Sequence, residues 1–173
     1  IARDWIDQPG YPLLRVMATN GARPHVRLEQ ERFYLAGAPP PGAPAQRWRV
    51  PIVLRYADGP RPTEQRALLS TARAEVALEA RRPPRWLYAN AGESGFYRVA
   101  HDPATLAALV GQVQSALVPA ERVGLVSNQW ALTRAGYFEI DAFLEFLNAF
   151  RDEPHRAVVE VIVDALGFID FYL

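Results

Sequence analysis

Hydrophobic and polar positions follow one period over the first part of the chain and a different period over the second. The first period is clearest at residues 47–55, RWRVPIVLR, where apolar and polar side chains alternate. A period of two predicts a half-buried strand. Pro51 cannot donate to a ladder, so we expect this strand to lie at a sheet edge or to carry a bulge. The alternation assigns one face to Trp48, Val50, Ile52 and Leu54 and the other to Arg47, Arg49 and Arg55.

Shorter runs on either side of this segment also favour strands. PLLRV at 12–16 and VRLEQERF at 26–33 are two of them. The segment 67–80 is rich in residues that favour helix, but its position among strands predicts a hairpin. Several short strands with turn signals between them indicate a small antiparallel β-sandwich. Stretches rich in proline and glycine separate the runs, namely a surface loop at 36–46 and a turn at 57–62.

From Asp102 onwards the hydrophobic positions follow a helical period. Asp102 and Pro103 combine a capping side chain with a proline at the first helical position, which predicts a helix start. A second helix is expected from Pro119 to the basic turn and glycine at 134–136. Short loops between the helices predict antiparallel neighbours. Two further helices, ending before Pro154 and near Gly167, are indicated by the stripes Ile140, Phe143, Leu144, Leu147, Phe150 and Val159, Ile162, Val163, Leu166.

The two periods together predict a β module followed by an α module. We expect a small antiparallel β-sandwich of the immunoglobulin-like kind at 10–101 and an antiparallel α-helical array at 102–173. The stretch WLYANAGESGFYRVAHD, residues 86–102, lies where the two modules meet. We expect it to be the last hairpin of the sandwich, with a turn at Gly92 and Gly95. Its strand would be held in the sheet and against the helices by Phe96, Tyr97 and Val99.

Composition narrows the classes of function. Basic and acidic residues number 19 each, and this neutral balance removes the simplest electrostatic case for a nucleic acid or an anionic membrane as partner. The absence of cysteine excludes disulfides, thiolate metal sites and thiol nucleophiles. No apolar run approaches the roughly 20 residues of a membrane span. We therefore expect a soluble protein without a membrane span, with the cytoplasm favoured.

Candidate catalytic residues are few, and each has a simpler structural explanation. His25, His101 and His155 form neither an H-E-x-x-H frame nor an i, i+4 pair, so structural or solvated roles are favoured over metal binding. Ser94 lies in GESGF rather than G-x-S-x-G and is expected to be a turn residue, and Glu93 has no companion carboxylate for acid–base work. We assign no catalytic, cofactor-binding or metal-ligating residue. Solvated faces are expected for Arg47, Arg49 and Arg55, with an acidic partner less favoured, and for Asp141, Glu145, Asp152 and Glu153.

Three segments carry longer motifs, in matching order and spacing. WIDQPGYPLLRV at 5–16, continuing into LEQERF at 28–33, fits W-x-x-Q-x-G-[YF]-P-x-[LV]-x-V followed by L-x-Q-x-R-F. NAGESGFYRVAHD at 90–102 fits N-x4-G-[YF]-Y-R-V-x-Y-D. RVGLVSNQWALTRAG at 122–136 fits R-x-x-L-x-x-D-x-[FW]-x-L-x-x-x-G. Together they resemble the aminopeptidase N family of zinc aminopeptidases, in the region that follows the catalytic domain.

The chain departs from these family patterns at two positions and lacks the family's catalytic motifs. His101 stands where the family usually has tyrosine, and Asn128 where it often has aspartate. Neither H-E-x-x-H nor G-x-M-E-N occurs, and the single methionine, Met17, lies in RVMATN. The resemblance implies that zinc belongs to a catalytic domain outside this chain. Residues 1–9 would then be the end of the connection from that domain.

The resemblance implies a non-catalytic fragment of an enzyme that removes N-terminal residues from peptides. Its partners would be the catalytic domain and further C-terminal helices, and only the whole enzyme would bind peptide. A free-standing β-sandwich binding or adaptor module with a helical tail is the alternative, and a hydrolase using Glu93 and His101 is a third possibility. The apolar stretch GFIDFYL at 167–173 predicts exposed apolar surface and self-association.

Overall fold

The structure, a computed structural model, describes residues 2–19, 21 and 23–172. A short helix, α1 (Ala2–Ile6), precedes the strands. The strands are β1 (Pro12–Thr19), β2 (His25–Arg32), β3 (Val50–Ala57), β4 (Thr63–Leu69), β5 (Arg73–Ala77), β6 (Trp86–Tyr88) and β7 (Arg98–His101). The helices that follow are α2 (Pro103–Val110), α3 (Val113–Ala116), α4 (Pro119–Arg134), α5 (Ile140–Leu147) and α6 (Arg156–Tyr172), with 3₁₀ turns at Ala91–Glu93 and Asn148–Phe150.

The strands form two sheets that pack face to face. One sheet has the order β5-β2-β1-β7 and the other the order β4-β3-β6. Neighbouring strands run antiparallel, except that β7 runs parallel to β1 with Leu14 opposite Val99. The predicted order, a sandwich followed by helices, is confirmed. The alternation expected in β3 is confirmed as well, because Trp48, Val50, Ile52 and Leu54 are all buried.

The core has three parts, and β6 contributes to two of them. Leu87 lies in the core between the sheets, whereas Trp86 and Tyr88 pack with the helices. Alternate residues of one strand therefore face the two modules. The third part lies on the outer face of the four-stranded sheet, where Leu13 and Phe33 pack against Leu132 and its neighbours near the end of α4.

Two segments expected to be hairpins are not hairpins. The segment 67–80 does contain strand, but β4 belongs to the three-stranded sheet and β5 to the four-stranded sheet. β6 and β7 are likewise in different sheets, so the stretch 86–102 crosses the sandwich. A period of two tells which side of a strand is buried, but it does not tell which strand lies beside it.

Pro51 does not mark a sheet edge, because β3 is the central strand of its sheet. β4 pairs with β3 from Val50 to Tyr56, with Leu68 opposite Pro51. On its other side β3 pairs with β6 at Arg55–Ala57. β6 ends before it reaches Pro51. Among the described residues, no strand therefore lies on that side to accept a hydrogen bond from an N–H at this position, and proline is tolerated.

The helices differ from the expected ones at two glycines. The first predicted helix is divided at Gly111 and Gln112 into α2 and α3. α6 continues through Gly167 to Tyr172 instead of ending near the glycine. A Cβ at Gly167 would meet no atom, so this residue is an ordinary exposed position of a helix. α4 begins and ends where the sequence predicts.

Candidate functional site: a buried polar seam

The loop between β6 and β7 is closed by one side chain, Asn90. Its Oδ1 accepts from the N–H of Gly95 at 2.8 Å, and its Nδ2 donates to the carbonyl of Gly95 at 3.2 Å. Within the loop Gly92 has φ 69° and Glu93 has φ 51°, both in the left-handed region. Such a φ is uncommon for a residue other than glycine. This backbone places the Glu93 carboxylate against α4.

Glu93 is held by groups from both modules. Its carboxylate accepts hydrogen bonds from the Tyr88 hydroxyl and, at 3.4 Å, from Asn90 Nδ2. It lies over Gly124 of α4, where a Cβ would collide with it. Burial raises the pKa of Glu93; the hydrogen bond from Tyr88 opposes the rise, and the nearby Glu121 carboxylate adds to it.

Glu121 joins β3 and the loop between β6 and β7 to the start of α4, and it is fully buried. Its carboxylate pairs with the Arg55 guanidinium of β3 and accepts from the backbone N–H of Gly92 at 2.8 Å. It also accepts from the N–H of Val118 at 3.0 Å, which caps the first turn of α4. Arg55 in turn donates to the carbonyl of Ala116 at 3.1 Å. A buried charge is thus paired and hydrogen-bonded, as its desolvation requires.

A second contact between strand and helix lies further along α4. Arg98 of β7 donates to Asn128 Oδ1 at 3.4 Å, and Asn128 is buried. The neighbouring Tyr97 donates its hydroxyl to the carbonyl of Ala89 at 2.8 Å. We call the residues that cross from sheet to helix the seam cluster: Arg55, Tyr88, Glu93, Arg98, Glu121 and Asn128.

His101 lies beside the seam cluster at the end of β7. Its ring stacks on Tyr88 with centroids 6.0 Å apart. Neither ring nitrogen has a hydrogen-bond partner among the described residues. Burial lowers the pKa of His101 to about 4, although the neighbouring Asp102 carboxylate acts in the opposite direction. The imidazole is therefore neutral at pH 7.

The geometry does not support acid–base catalysis by Glu93 and His101. The Tyr88 side chain contacts both, with its hydroxyl on Glu93 and its ring on His101. Both nitrogens of His101 are shielded from solvent, so a substrate could not reach them. Ser94 donates its hydroxyl to the carbonyl of Ala91 at 3.1 Å, as expected of a turn residue.

The three histidines and the carboxylates near them are not arranged as a zinc site in the part of the chain that the structure describes. His25 lies 3.9 Å from Glu75, His101 is buried, and His155 is exposed just before α6. Among residues 2–19, 21 and 23–172, no group of three or more His, Asp or Glu is arranged to hold a metal ion.

Two residues expected on solvated faces have side chains that are largely shielded from solvent instead. Arg55 is part of the seam cluster, with only 14% of its side chain exposed. Glu153 receives hydrogen bonds from Arg122 at 2.8 and 2.9 Å. Burial by itself raises the pKa of Glu153, but the hydrogen bonds from Arg122, from the His155 N–H and from Gln114, with the charge of Arg122, together outweigh it, and the pKa is lowered. The sequence did single out Arg122, because this arginine is the first residue of the family motif at 122–136.

Phe96 is exposed rather than packed into the sheet, with 71% of its surface accessible. It contacts Trp5 and Tyr11 at centroid distances of 6.4 and 5.3 Å. Tyr97 and Val99 are buried as expected. The two glycines expected to form the turn, Gly92 and Gly95, differ from each other. Gly92 has a positive φ, and Gly95 does not.

A groove of about 340 Å³ lies between the outer face of the four-stranded sheet and α4. Met17, Leu132 and Phe138 contribute apolar surface to it. His101 and Gln129 also border it. Both nitrogens of His101 and Nε2 of Gln129 have no hydrogen-bond partner among the described residues and almost no accessible surface. A ligand in the groove would therefore reach little of these atoms.

Comparisons with known proteins agree on one family. The model of the ERAP1-like C-terminal domain matches residues 86–173. Puromycin-sensitive aminopeptidase of Caenorhabditis elegans is 31% identical over 165 residues, covering 94% of this chain and 17% of that protein. Tricorn protease-interacting factor F2 of Thermoplasma acidophilum is 28% identical over 162 residues, covering 94% of this chain and 18% of that protein. Aminopeptidase M1-A of Oryza sativa subsp. japonica is 26% identical over 170 residues, covering 95% of this chain and 18% of that protein.

The chain spans less than a fifth of the length of these relatives. The match to the family model begins at Trp86, the first residue of β6, and includes the loop of Glu93 and all of α4. In the part of the chain that the structure describes, no helix is long and apolar enough to cross a membrane.

Proposed function

Since the chain belongs to the ERAP1-like C-terminal domain family, in the region of aminopeptidase N-type enzymes that follows the catalytic domain, we propose that it is the structural, non-catalytic part of a zinc-dependent aminopeptidase. Its sandwich, at 10–101, would be the linker, with 1–9 as the connection from the catalytic domain. Its helices, at 102–173, would support the lid over that domain. The whole enzyme would remove N-terminal residues from peptides.

The seam cluster is the observation that carries this proposal. A linker that positions a helical lid must hold it at one angle, which apolar packing alone does not fix. Buried charged and polar groups favour a single arrangement, because any other leaves them unpaired in a medium of low polarity. Arg55, Glu121 and the Glu93 loop meet this requirement where sheet and helix join.

The first experiment tests the absence of catalysis in this chain. The purified chain is incubated with zinc and an aminoacyl anilide, and release of the aniline is measured. We expect no release above the blank, with the full-length enzyme as positive control. Robust turnover by the chain would overturn the proposal and favour the hydrolase alternative.

The second experiment tests the linker role in the full-length enzyme. Gly124→Ala adds a methyl group that collides with the Glu93 carboxylate and so disturbs the seam cluster. We expect unchanged zinc content but a reduced kcat/KM for peptides, because the lid is no longer held correctly. Gly59→Ala, in a turn away from α6 where a Cβ also meets no atom, is the matched control. Equal peptide kinetics in both variants would contradict a linker role.

An apolar face of α6 bears on the choice between connector and adaptor. Val159, Val163 and Phe171 expose 41%, 57% and 78% of their surface. We propose that further C-terminal helices cover this face in the enzyme and that the isolated chain self-associates through it. An adaptor would instead need a surface for an unrelated partner. Val163→Asp should abolish self-association through α6.

A further inference from the structure

The sandwich has two open edges. β7 packs against α4 and β6 against α2, so helices lie over these two edge strands. β4 and β5 are the other edge strands, and β4 is the longer of the two, with seven residues against five. An open edge strand presents backbone N–H and C=O groups to any strand that can pair with it.

The register shows which residues of β4 direct their backbone groups outwards. Pro51 lies opposite Leu68, and because proline has no N–H this pair is not a hydrogen-bonded pair of the ladder. Hydrogen-bonded and non-bonded pairs alternate along an antiparallel ladder. Glu64 and Arg66 are therefore non-bonded with β3, and their N–H and C=O groups point to the open edge. The hydrogen bond of Ala57 supports this assignment. Ala57 lies two residues after Arg55, the partner of Glu64, so the backbone groups of both point to the same side of β3. The Ala57 carbonyl accepts from the N–H of Arg85, on the side of β3 away from β4.

The charges on β4 are complementary to those of a second copy of the same strand. If two β4 strands pair antiparallel about Gln65, Glu64 of each copy lies opposite Arg66 of the other. If the two-fold axis of the paired strands passed through Arg66 instead, two arginines would lie opposite each other. If it passed through Glu64, two glutamates would lie opposite each other. Both side chains are exposed. Glu64 lies 3.9 Å from Arg55 of β3, at the outer limit of an ion pair, and Arg66 forms no ion pair with the described residues. Opposite charges thus favour one hydrogen-bonded register.

We propose that the β4 edge is a homodimer surface, with a second copy of this chain as its partner. The two copies are related by a two-fold axis through Gln65, so that Glu64 and Arg66 form two symmetric cross-strand pairs. The dimer joins two three-stranded sheets into one continuous sheet. β5 is less suited to this role, because it is shorter and both of its charged side chains pair with the adjacent strand, Arg73 with Glu29 at 3.3 Å and Glu75 with Arg27 at 3.1 Å. On β4 the one such contact, from Glu64 to Arg55, is longer at 3.9 Å, and Arg66 has none among the described residues.

Sedimentation equilibrium of the 173-residue chain carrying Val163→Asp, which removes the self-association proposed for α6, tests the dimer. All β4 variants are made in this background, and the Val163→Asp chain with wild-type β4 is their reference. We expect the mean mass to rise with concentration from 19.3 kDa towards twice that value. Glu64→Arg and Arg66→Glu each turn two attractive pairs into two repulsive ones, so each should raise the dissociation constant about tenfold or more. The double variant, with the charges exchanged, should regain the reference value. High salt should weaken the reference dimer.

Mixing the two single variants gives the sharpest result. One chain then carries two arginines and the other two glutamates, so an equimolar mixture should form a heterodimer although each variant alone stays largely monomeric. A variant that had lost its fold could not regain association in this way. Arg61→Glu, an equal charge change at an exposed residue before β4, should leave the dissociation constant unchanged.

Three outcomes would overturn the proposal. The Val163→Asp chain with wild-type β4 could stay monomeric at every concentration, or both single variants in that background could associate as tightly as this reference. The equimolar mixture of the two single variants could also stay monomeric, which would show that the Glu64–Arg66 pairs do not hold two copies together.

Discussion

At the scale of single residues, Glu93 and His101 show two ways in which the fold accommodates a buried ionisable group. Glu93 is given partners, the Tyr88 hydroxyl and the Asn90 amide. His101 is given none among the described residues and is kept neutral by burial, which lowers its pKa to about 4. A buried polar group without a hydrogen bond costs free energy, so His101 lowers stability while Glu93 helps to join two modules.

His101→Phe should therefore stabilise the protein and reduce its sensitivity to acid. An apolar ring of similar shape removes two unpartnered nitrogens, a gain of about 1–2 kcal/mol at pH 7. Because the pKa of His101 falls from 6.5 in the unfolded chain to about 4 in the folded one, stability is lost as pH falls through that window, by up to about 3 kcal/mol.

Urea unfolding at pH 7.5 and pH 4.5 measures both effects of the phenylalanine variant. We expect the difference in unfolding free energy between variant and wild type to be larger at pH 4.5. His155→Gln, at an exposed histidine, is the control and should follow the wild type at both values. A constant difference would show that His101 does not titrate on unfolding in this range.

At the scale of elements, α4 is the helix that connects the parts of the molecule. Gly124 allows the Glu93 loop to approach its backbone, and Asn128 accepts from Arg98 of the sheet. Arg122, on another side, reaches Glu153 in the turn before α6. The helix thus contacts the sheet through polar groups and the following helices through a buried ion pair.

Gly124→Ala should destabilise the isolated chain although alanine favours helix. The intrinsic preference would give a gain of about 1 kcal/mol, but the added methyl must displace the Glu93 carboxylate from a buried position. We expect a net loss of about 2 kcal/mol in chemical unfolding. Gly167→Ala, where a Cβ meets nothing, should instead gain about 0.5–1 kcal/mol. If alanine stabilised the protein at both glycines, the Glu93 carboxylate would not lie as close to Gly124 as the structure shows.

Arg122→Met should lower the unfolding free energy by about 3–5 kcal/mol, because it leaves the Glu153 carboxylate buried without its cation. Adding Glu153→Gln removes that charge and should restore part of the loss. Arg151→Met, which breaks the exposed Arg151–Asp152 pair, should change stability by less than about 0.5 kcal/mol. A double-mutant cycle in urea measures the coupling; additive effects would argue against a direct pair.

At the scale of the whole molecule, the sandwich and the helices share strands, and their cores are not independent. Leu87 belongs to the core between the sheets, and Trp86 and Tyr88 to the core of the helices. The outer face of the four-stranded sheet also packs against α4 through Leu13 and Leu132. Neither module can lose its packing without exposing apolar surface of the other.

We therefore expect the chain to unfold in a single transition. Far-UV circular dichroism at 222 nm follows mainly the helices, and tryptophan fluorescence also reports on Trp48, which lies in the core between the sheets. The two probes should give coincident curves in urea. Tyr88→Ala removes both the packing and the hydroxyl contact at the seam cluster and should separate the curves. Separate transitions in the wild type would mean that the modules fold independently.

The sequence by itself determined the elements, their order and the family. A strand period, a helix period and a cap such as Asp102–Pro103 depend on residues close in the chain, so local pattern is enough to predict them. The Asp102 carboxylate indeed accepts from the N–H groups of Ala104 and Thr105 at 3.1 and 3.3 Å. The three motifs pointed to the family that the comparisons support.

Only the tertiary structure decided which strands are neighbours and which charges are buried. β4 and β5, and likewise β6 and β7, follow each other in the chain yet lie in different sheets. Arg55 and Glu153 resemble solvated residues in the sequence, and each is buried against a partner 66 or 31 residues away. Strand pairing and burial depend on contacts between segments distant in sequence, and a periodic pattern along one segment carries no information about its distant partners.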